Sequence, residues 1–561
     1  MYQPTELDTK ILKERAIQFE GQLKRHNAGR TSSAEFRPLR LQNGLYIQRH
    51  APMLRIAIAY GMLNSTQLRK LALITEKYDR GYGHLTTRQN MQLNWIEVDN
   101  VPNALKELSE VGLHGIQSSG NCLRNITSDA YAGISMDEII DPRPYAELLR
   151  QWSTFHPELS FLPRKFKVAF TGTPEDRALI QVHDLAFEAI SQEPKTSFRV
   201  RAGGGLGRIP VLGPIIKDEL NWKDIRSFTH AVMRVYNELG RRDNLTKARI
   251  KILIRTVGVD LFKSMVEKEF KTLRNGPEKI QEKELKKIKE RFSDFEYLKN
   301  SNQGGEKNNH QNTENNFDEE YKKWTSHNVK KHRIQSMRSV LIPIKGVDRA
   351  PGDLSSSEMF KLANIADEFS LGLLRVTHTQ DILLSMVNYE SLPALFEKLK
   401  KEALLNSVGG LLSDMVCCPG GDFCSLANAR SIPLAEEISM RFKEINDLEN
   451  LGPIDLRISG CMNSCGHHHI GHIGILGVDK GGSSYYQILL GGHSGHGAPA
   501  SLGKIVGKAF AENEVTDAIE EILNHYIEER ADGESFRETL IRLGHDTFIN
   551  AANQVRKTGR A

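Results

Sequence analysis

Long apolar runs are missing from this chain. The best of them, SVLIPI from Ser339 to Ile344, meets Lys345 at once and Asp348 soon after, well short of the roughly 18 residues a membrane span needs. Cysteine is scarce, with 6 in 561 residues, which excludes a disulfide scaffold for a chain of this length. A charge imbalance is also lacking: 75 Lys and Arg face 70 Asp and Glu, a net +5, which gives no argument for nucleic-acid binding by the chain as a whole. The N-terminal MYQPTELDTKILKERAIQFE has neither the apolar core of a secretory signal nor the acid-poor character of a transit peptide, so a cytoplasmic location is expected. What remains is ordinary globular composition, 39% apolar and 26% charged, long enough for three or four domains at about 150 residues each.

Residues 300–320, NSNQGGEKNNHQNTENNFDEE, are polar and Asn-rich and offer too little apolar surface to offset the entropy of ordering, so a disordered insert is expected there. On either side of it runs a repeat at a fixed offset of 291 residues. Leu63 to Leu93 aligns without a gap on Leu354 to Leu384, with 10 of 31 positions identical, among them Lys70/Lys361, Gly81/Gly372, Thr86/Thr377 and Gln89/Gln380. Each copy reads as a helix, a glycine and then a strand, preceded by another strand candidate. A duplicated α+β unit with the functional site between its halves follows.

Five of the cysteines fall between Cys417 and Cys465. Cys418 and Cys424 form one close pair, Cys461 and Cys465 another, the complement of soft ligands that a [4Fe-4S] cluster or a structural zinc requires. The wide gap holding Pro419, Gly420 and Gly421 suits the larger cluster; zinc remains the alternative. Cys417 reads as a small buried side chain beside the ligand Cys418. His467, His468, His469 and His472 resemble a metal tract, but three consecutive residues cannot all face one ion, so packing or hydrogen bonding is expected of them.

These cysteine spacings and the repeat, together with TTRQ (Thr86 to Gln89), CLRN (Cys122 to Asn125), LPRKFK (Leu162 to Lys167), GGGLG (Gly203 to Gly207) and RRDNLTKARIK (Arg241 to Lys251), resemble the sirohaem-dependent nitrite and sulfite reductases, nearest to the assimilatory sulfite reductase haemoproteins. The resemblance implies a pseudo-twofold fold: a ferredoxin-like repeat pair and two α/β domains around sirohaem and a [4Fe-4S] cluster. Cys418, Cys424, Cys461 and Cys465 would ligate the cluster, with Cys465 shared with the sirohaem iron. Arg88, Arg124, Lys165 and Lys167 match the family's anion-binding quartet, and Arg88 is Thr379 in the second repeat. Gly203, Gly204 and Gly205, with Arg242, Lys247, Arg249 and Lys251, are expected to meet the carboxylates of the haem. Cys122 matches a place where some members carry a cysteine crosslinked to tyrosine; an unmodified thiol is the simpler expectation.

Residues 1–50 are then expected to form a helix and an extended arm, 51–117 the first ferredoxin-like half-repeat, and 118–335 the first α/β domain with the insert. Residues 336–408 would be the second half-repeat, and 409–561 the α/β domain carrying the cysteines. The second lysine of KFK, Lys167, is asparagine in plant-type nitrite reductases within that resemblance, and an added cation favours dianionic sulfite over nitrite. Six-electron reduction of sulfite to sulfide is therefore expected, nitrite to ammonia being the alternative, and a zinc-containing nucleic-acid-binding protein the remote one. No flavin or nicotinamide fingerprint is present, so electrons must come from a separate protein, a ferredoxin or a flavoprotein reductase.

Overall fold

The two repeats fold alike and complete each other. The computed structural model describes residues 5–292, 318–405 and 407–558; the insert expected at 300–320 lies outside them as far as residue 317. Within the repeats, Ser65–Tyr78 and Ser356–Phe369 are helices. Each opens on a capping box, Asn64 with Gln67 and Ser355 with Glu358, in which side chains and backbone N–H groups at the helix start satisfy one another. Leu68, Leu71 and Ile74 from one helix and Met359, Leu362 and Ile365 from the other fall at helical spacing on their inner faces and share a single core.

The first repeat region gives strands β1 (Leu45–Ile47), β2 (Pro52–Ile56), β3 (Met62–Asn64), β4 (Tyr82–Leu85) and β5 (Met91–Leu93). The first α/β domain follows with β6 (Thr127–Ser128), β7 (Val168–Thr171), β8 (Leu185–Ser191), β9 (Ser197–Ala202) and β10 (Ile215–Asn221). The second repeat region gives β11 (Val329–Lys331), β12 (Met337–Ile342), β13 (Asp353–Ser355), β14 (Leu373–Val376) and β15 (Ile382–Asn388). The last domain holds β16 (Val416–Cys417), β17 (Leu456–Ser459), β18 (Ile473–Lys480), β19 (Ser483–Leu490), β20 (Lys504–Ile505) and β21 (Phe510–Ala511).

The two repeat sheets run β1-β2-β5-β4-β13 and β11-β12-β15-β14-β3. Each therefore ends on a strand lent by the other repeat: β13 pairs with β4, and β3 with β14. The turns that follow match as well. Gln89 and Gln380, 291 apart, both sit at positive φ, and their amides donate reciprocally to Val376 O and Leu85 O. The two α/β sheets repeat one another too. In β6-β7-β8-β9-β10 and in β16-β17-β18-β19-β20 the first two pairings are parallel and the next two antiparallel. The duplication thus extends beyond the 31 residues where side chains still show it.

The N-terminal arm departs from expectation. Ser33–Gln42, through FRPLRLQ, is helical rather than extended, with Ser32 and Glu35 as its capping box, although Pro38 lies inside it. Only Leu45–Ile47 is a strand. Just beyond it, Arg49 N–H donates to Phe423 O at 3.2 Å and its guanidinium to Gly421 O at 3.3 Å, so the arm fastens the loop between Cys418 and Cys424. Among the described residues no helix is long and apolar enough to cross a membrane.

Candidate active site

Alternation along one strand extension sets the cationic face. Leu123 and Phe166 are paired in parallel just before β6 and β7, and both are buried in the first α/β core with Val168. Side chains alternate across a strand, so Arg124, Lys165 and Lys167 project to the opposite face. All three are half-buried. Neither lysine ammonium has a hydrogen-bond or ion-pair partner among the described residues. Burial, followed by Arg249, pulls Lys165 down to about 8; burial with Arg88 and Lys165 takes Lys167 well below the ordinary lysine value.

Arg88 arrives from the turn between β4 and β5. Its guanidinium donates to Asn125 O at 2.6 Å and to His183 Nε2 at 2.7 Å. His183 is neutral, Nδ1–H donating to Leu179 O at 2.7 Å, and burial beside Arg88 and Lys167 keeps it so. Burial, then Arg124, lowers even Arg88, to about 9. Arg124 uses three of its five N–H groups on Ser118 O and Gly120 O, leaving one on each terminal nitrogen. A face this rich in mutually repelling cations asks for anions.

The glycine loop lies alongside. A side chain on Gly204 would meet Gln181 O at 2.3 Å and His183 O at 2.6 Å, so only glycine lets the backbone pass. Arg249 binds fully buried Asp184 through Nε and a terminal nitrogen, at 2.9 and 2.7 Å, and lies over Gly205. Lys251, expected to reach haem carboxylates, instead donates to three carbonyls of the same loop, Gly205, Leu206 and Ile209, at 3.1, 2.7 and 2.5 Å. Its charge is consumed in shaping the loop. Arg242 and Lys247 are exposed, and Arg242 is tied to Phe161 O and Asn237, so neither joins this face.

Four participants escaped the sequence reading. Asp184 accepts the Lys167 backbone N–H at 2.8 Å as well as Arg249, and so links the lysine strand to the glycine loop. His183 orients Arg88. Arg55 pairs with Gln92 across β2 and β5. Desolvation pushes the Tyr46 hydroxyl up, but Arg124, Arg55 and Lys165 more than reverse it, to about 8. A lone Asp or Tyr carries no signal in one sequence; only the fold brings these to the cations.

The four cysteines sit on two loops of the last domain, and the turn that carries Arg88 reaches them: Thr87 Oγ1 donates to Cys465 O at 2.8 Å. Gly420 and Gly460 allow the loops to close, since a side chain on Gly460 would come within 2.7 Å of Gly420 Cα. Cys418 Sγ accepts from Gly460 N at 3.3 Å. Burial, with repulsion from Cys465, raises Cys418 to about 12; Cys461 is raised to about 11 by burial. Cys465 is exposed and lies close enough to Lys165 to interact with it electrostatically. Cys417 turns the other way, into the apolar core of the domain.

Burial makes Cys418, Cys424 and Cys461 reluctant to ionise, which fits a polynuclear cation able to stabilise thiolates. Tetrahedral zinc would hold its sulfurs about 3.8 Å apart. Yet the one triplet of potential ligands with donors within 4.8 Å of each other, among the described residues, is His156, His230 and Glu278. The wider spread of the cysteine sulfurs suits an iron–sulfur cube. Of the histidine tract, His467 and His468 are buried, His469 bonds Gly207 O at 3.1 Å, and His472 accepts from Asp455 N.

Comparison with known proteins gives the family. Residues 119–273 and 409–558 match the family described as nitrite and sulphite reductase 4Fe-4S domain, and residues 46–111 and 348–402 the nitrite/sulfite reductase ferredoxin-like half domain. A sulfite reductase [ferredoxin] of Mycobacterium tuberculosis is 26% identical over 507 residues, 88% of this chain and 82% of that protein. A chloroplastic ferredoxin–nitrite reductase of Zea mays is 28% identical over 445 residues, 76% of this chain and 69% of its own. The solved structure of the Mycobacterium tuberculosis NirA protein superposes with a TM-score of 0.75 at 25% identity, covering 93% of this chain and 92% of that one.

Proposed function

The chain belongs to the nitrite and sulphite reductase family, and from that premise we propose that it reduces sulfite to sulfide, taking six electrons from a ferredoxin-type donor. The observation that carries the choice is the pair Lys165 and Lys167, two half-buried amines without hydrogen-bond or ion-pair partners on the face they share with Arg124, ready to take up protons against an anion. A dianion gains more from that field than a monoanion does.

In this reading Cys418, Cys424, Cys461 and Cys465 hold a [4Fe-4S] cluster, and Cys465 also ligates sirohaem. When bound, the two groups would supply the electrons for reducing the anion. Arg249 and the backbone of Gly203, Gly204 and Gly205 are the groups left to meet haem carboxylates; Arg242, Lys247 and Lys251 are not. Arg88 and Arg124 hold substrate oxygens by charge-assisted hydrogen bonds. Lys165, drawn to about 8, is protonated at neutral pH yet parts with its proton readily, as a donor to departing oxygen must. His183 keeps Arg88 in place and, being neutral, adds no charge.

Nitrite reduction to ammonia is the second reading, favoured by the similar identity to the Zea mays protein. The test is an absorption spectrum of the purified protein with iron, zinc and acid-labile sulfide analysis, repeated with sulfite, then steady-state rates with each anion. Haem bands, iron with labile sulfide and higher kcat/KM for sulfite are expected. Zinc without a chromophore would overturn the cofactor assignment; higher kcat/KM for nitrite would overturn the substrate.

A further inference from the structure

Remote in sequence from the cysteines, a second group of ligand side chains converges in the first α/β domain. His156 follows the helix Arg143–Ser153, His230 lies on the helix Ile225–Leu239, and Glu278 lies in the turn ahead of the helix Glu282–Glu290. One donor atom from each falls within 4.8 Å of the other two. His230 Nδ1 is 2.6 Å from Glu278 Oε1, and His156 Nε2 is 3.9 Å from the same oxygen.

That 2.6 Å approach is an ion pair that, against burial, raises the proton affinity of His230, although His230 Nδ1 makes no hydrogen bond of ordinary geometry there. His156 Nδ1 and Glu278 Oε2 are buried without partners as well. Buried polar atoms are nearly always satisfied, so an atom without a hydrogen bond on each of three converging side chains leaves capacity for a ligand. The outer contacts have the form that metal-bound histidine favours: His230 Nε2 lies 2.9 Å from Glu158 Oε2, and Arg234 grips Glu158 through Nε and a terminal nitrogen, both at 3.0 Å. A carboxylate behind a histidine fixes its tautomer and raises its basicity toward a metal. Trp152, 4.7 Å from the His156 ring and 5.6 Å from that of His230, screens the group on one side.

We propose that His156, His230 and Glu278 bind a divalent transition-metal ion, zinc above all. Two imidazoles and one carboxylate are a common zinc donor set that leaves one position for water. Harder cations prefer all-oxygen shells, and soft ones prefer sulfur. The ion ties three segments of the domain, far apart in sequence, together, independently of sulfite or nitrite chemistry.

The full-length holoenzyme, with its cluster loaded so that the cysteines are engaged, is dialysed against a chelator and titrated with zinc chloride by calorimetry. One equivalent binds the wild type, and His156→Gln and Glu278→Gln each weaken that binding by about 100-fold or more, while haem spectrum and turnover stay unchanged. X-ray absorption of the zinc-loaded wild type needs no variant; it should show only nitrogen and oxygen at about 2.0–2.1 Å, with no sulfur at about 2.3 Å. A wild type that takes up no zinc, variants that bind as tightly as the wild type, or sulfur in the zinc shell would each overturn the proposal.

Discussion

Replacing Lys167 by asparagine isolates the charge argument for substrate choice. The Lys167 side chain is half-buried and unpartnered, and burial, followed by Arg88, Lys165 and Arg249, depresses its proton affinity. A unit charge at about 4 Å in a medium of effective dielectric about 20 gains about 4 kcal/mol. Sulfite carries one more negative charge than nitrite, so that figure is the ceiling on the difference between them. Restoring the proton to Lys167 against its cationic neighbours consumes part of this, leaving about 1.4–2.8 kcal/mol, or tenfold to a hundredfold in relative rate. The assay is kcat/KM for each anion with one artificial reductant. Lys167→Asn should lose about ten to a hundred times more with sulfite than with nitrite. Equal losses for both anions, or a sulfite loss below about threefold, would refute the reasoning.

Asp176 tests buried acidity. Burial pushes its carboxyl up to about 7, although Oδ1 accepts from Ile180 N at 2.9 Å. The folded state thus keeps a proton that the unfolded chain releases, and stability falls as pH rises from about 4 to about 7 and stays low above. Asp176→Asn should flatten that profile and gain on the order of 2 kcal/mol near pH ~8, read by denaturant melts at several pH values. Cys417→Ala should keep full iron and labile sulfide and cost about 1 kcal/mol, whereas Cys418→Ser should lose the cluster. Lys345, fully buried, bonds Asp414 at 2.7 Å and also Asp381. Lys345→Met strands two buried carboxylates and should cost about 3 kcal/mol or more in urea unfolding.

Duplication was plain in the sequence at residues 63–93 because helix caps and core spacing must be kept in both copies. It was invisible in the α/β domains, where only strand order repeats and the side chains have diverged toward cations in one copy and cysteines in the other. The lysine pair was legible through the family resemblance carried by LPRKFK, and strand alternation then puts Lys165 and Lys167 on one face. Lys251 misled for the opposite reason: its charge is visible in the sequence, but the three carbonyls that absorb it belong to a loop more than 40 residues away. Asp184 and His183 were unreadable, since their meaning lies in what they touch. The arm at FRPLRLQ is expected to be extended, but the capping box at Ser32 and Glu35 supports a helix there that holds even with Pro38 inside it.

The exchange of β3 and β13 has a consequence for how the chain is made. The edge of β4 is finished early in synthesis, yet its partner β13 emerges about 270 residues later, a wait of roughly 15–60 s at ordinary translation speeds. Through that interval the nascent sheet presents an open edge able to recruit strands from neighbouring chains. Ribosome-bound intermediates of this protein should accordingly be chaperone clients until residue 355 has cleared the exit tunnel, and neither repeat expressed by itself should yield a closed sheet.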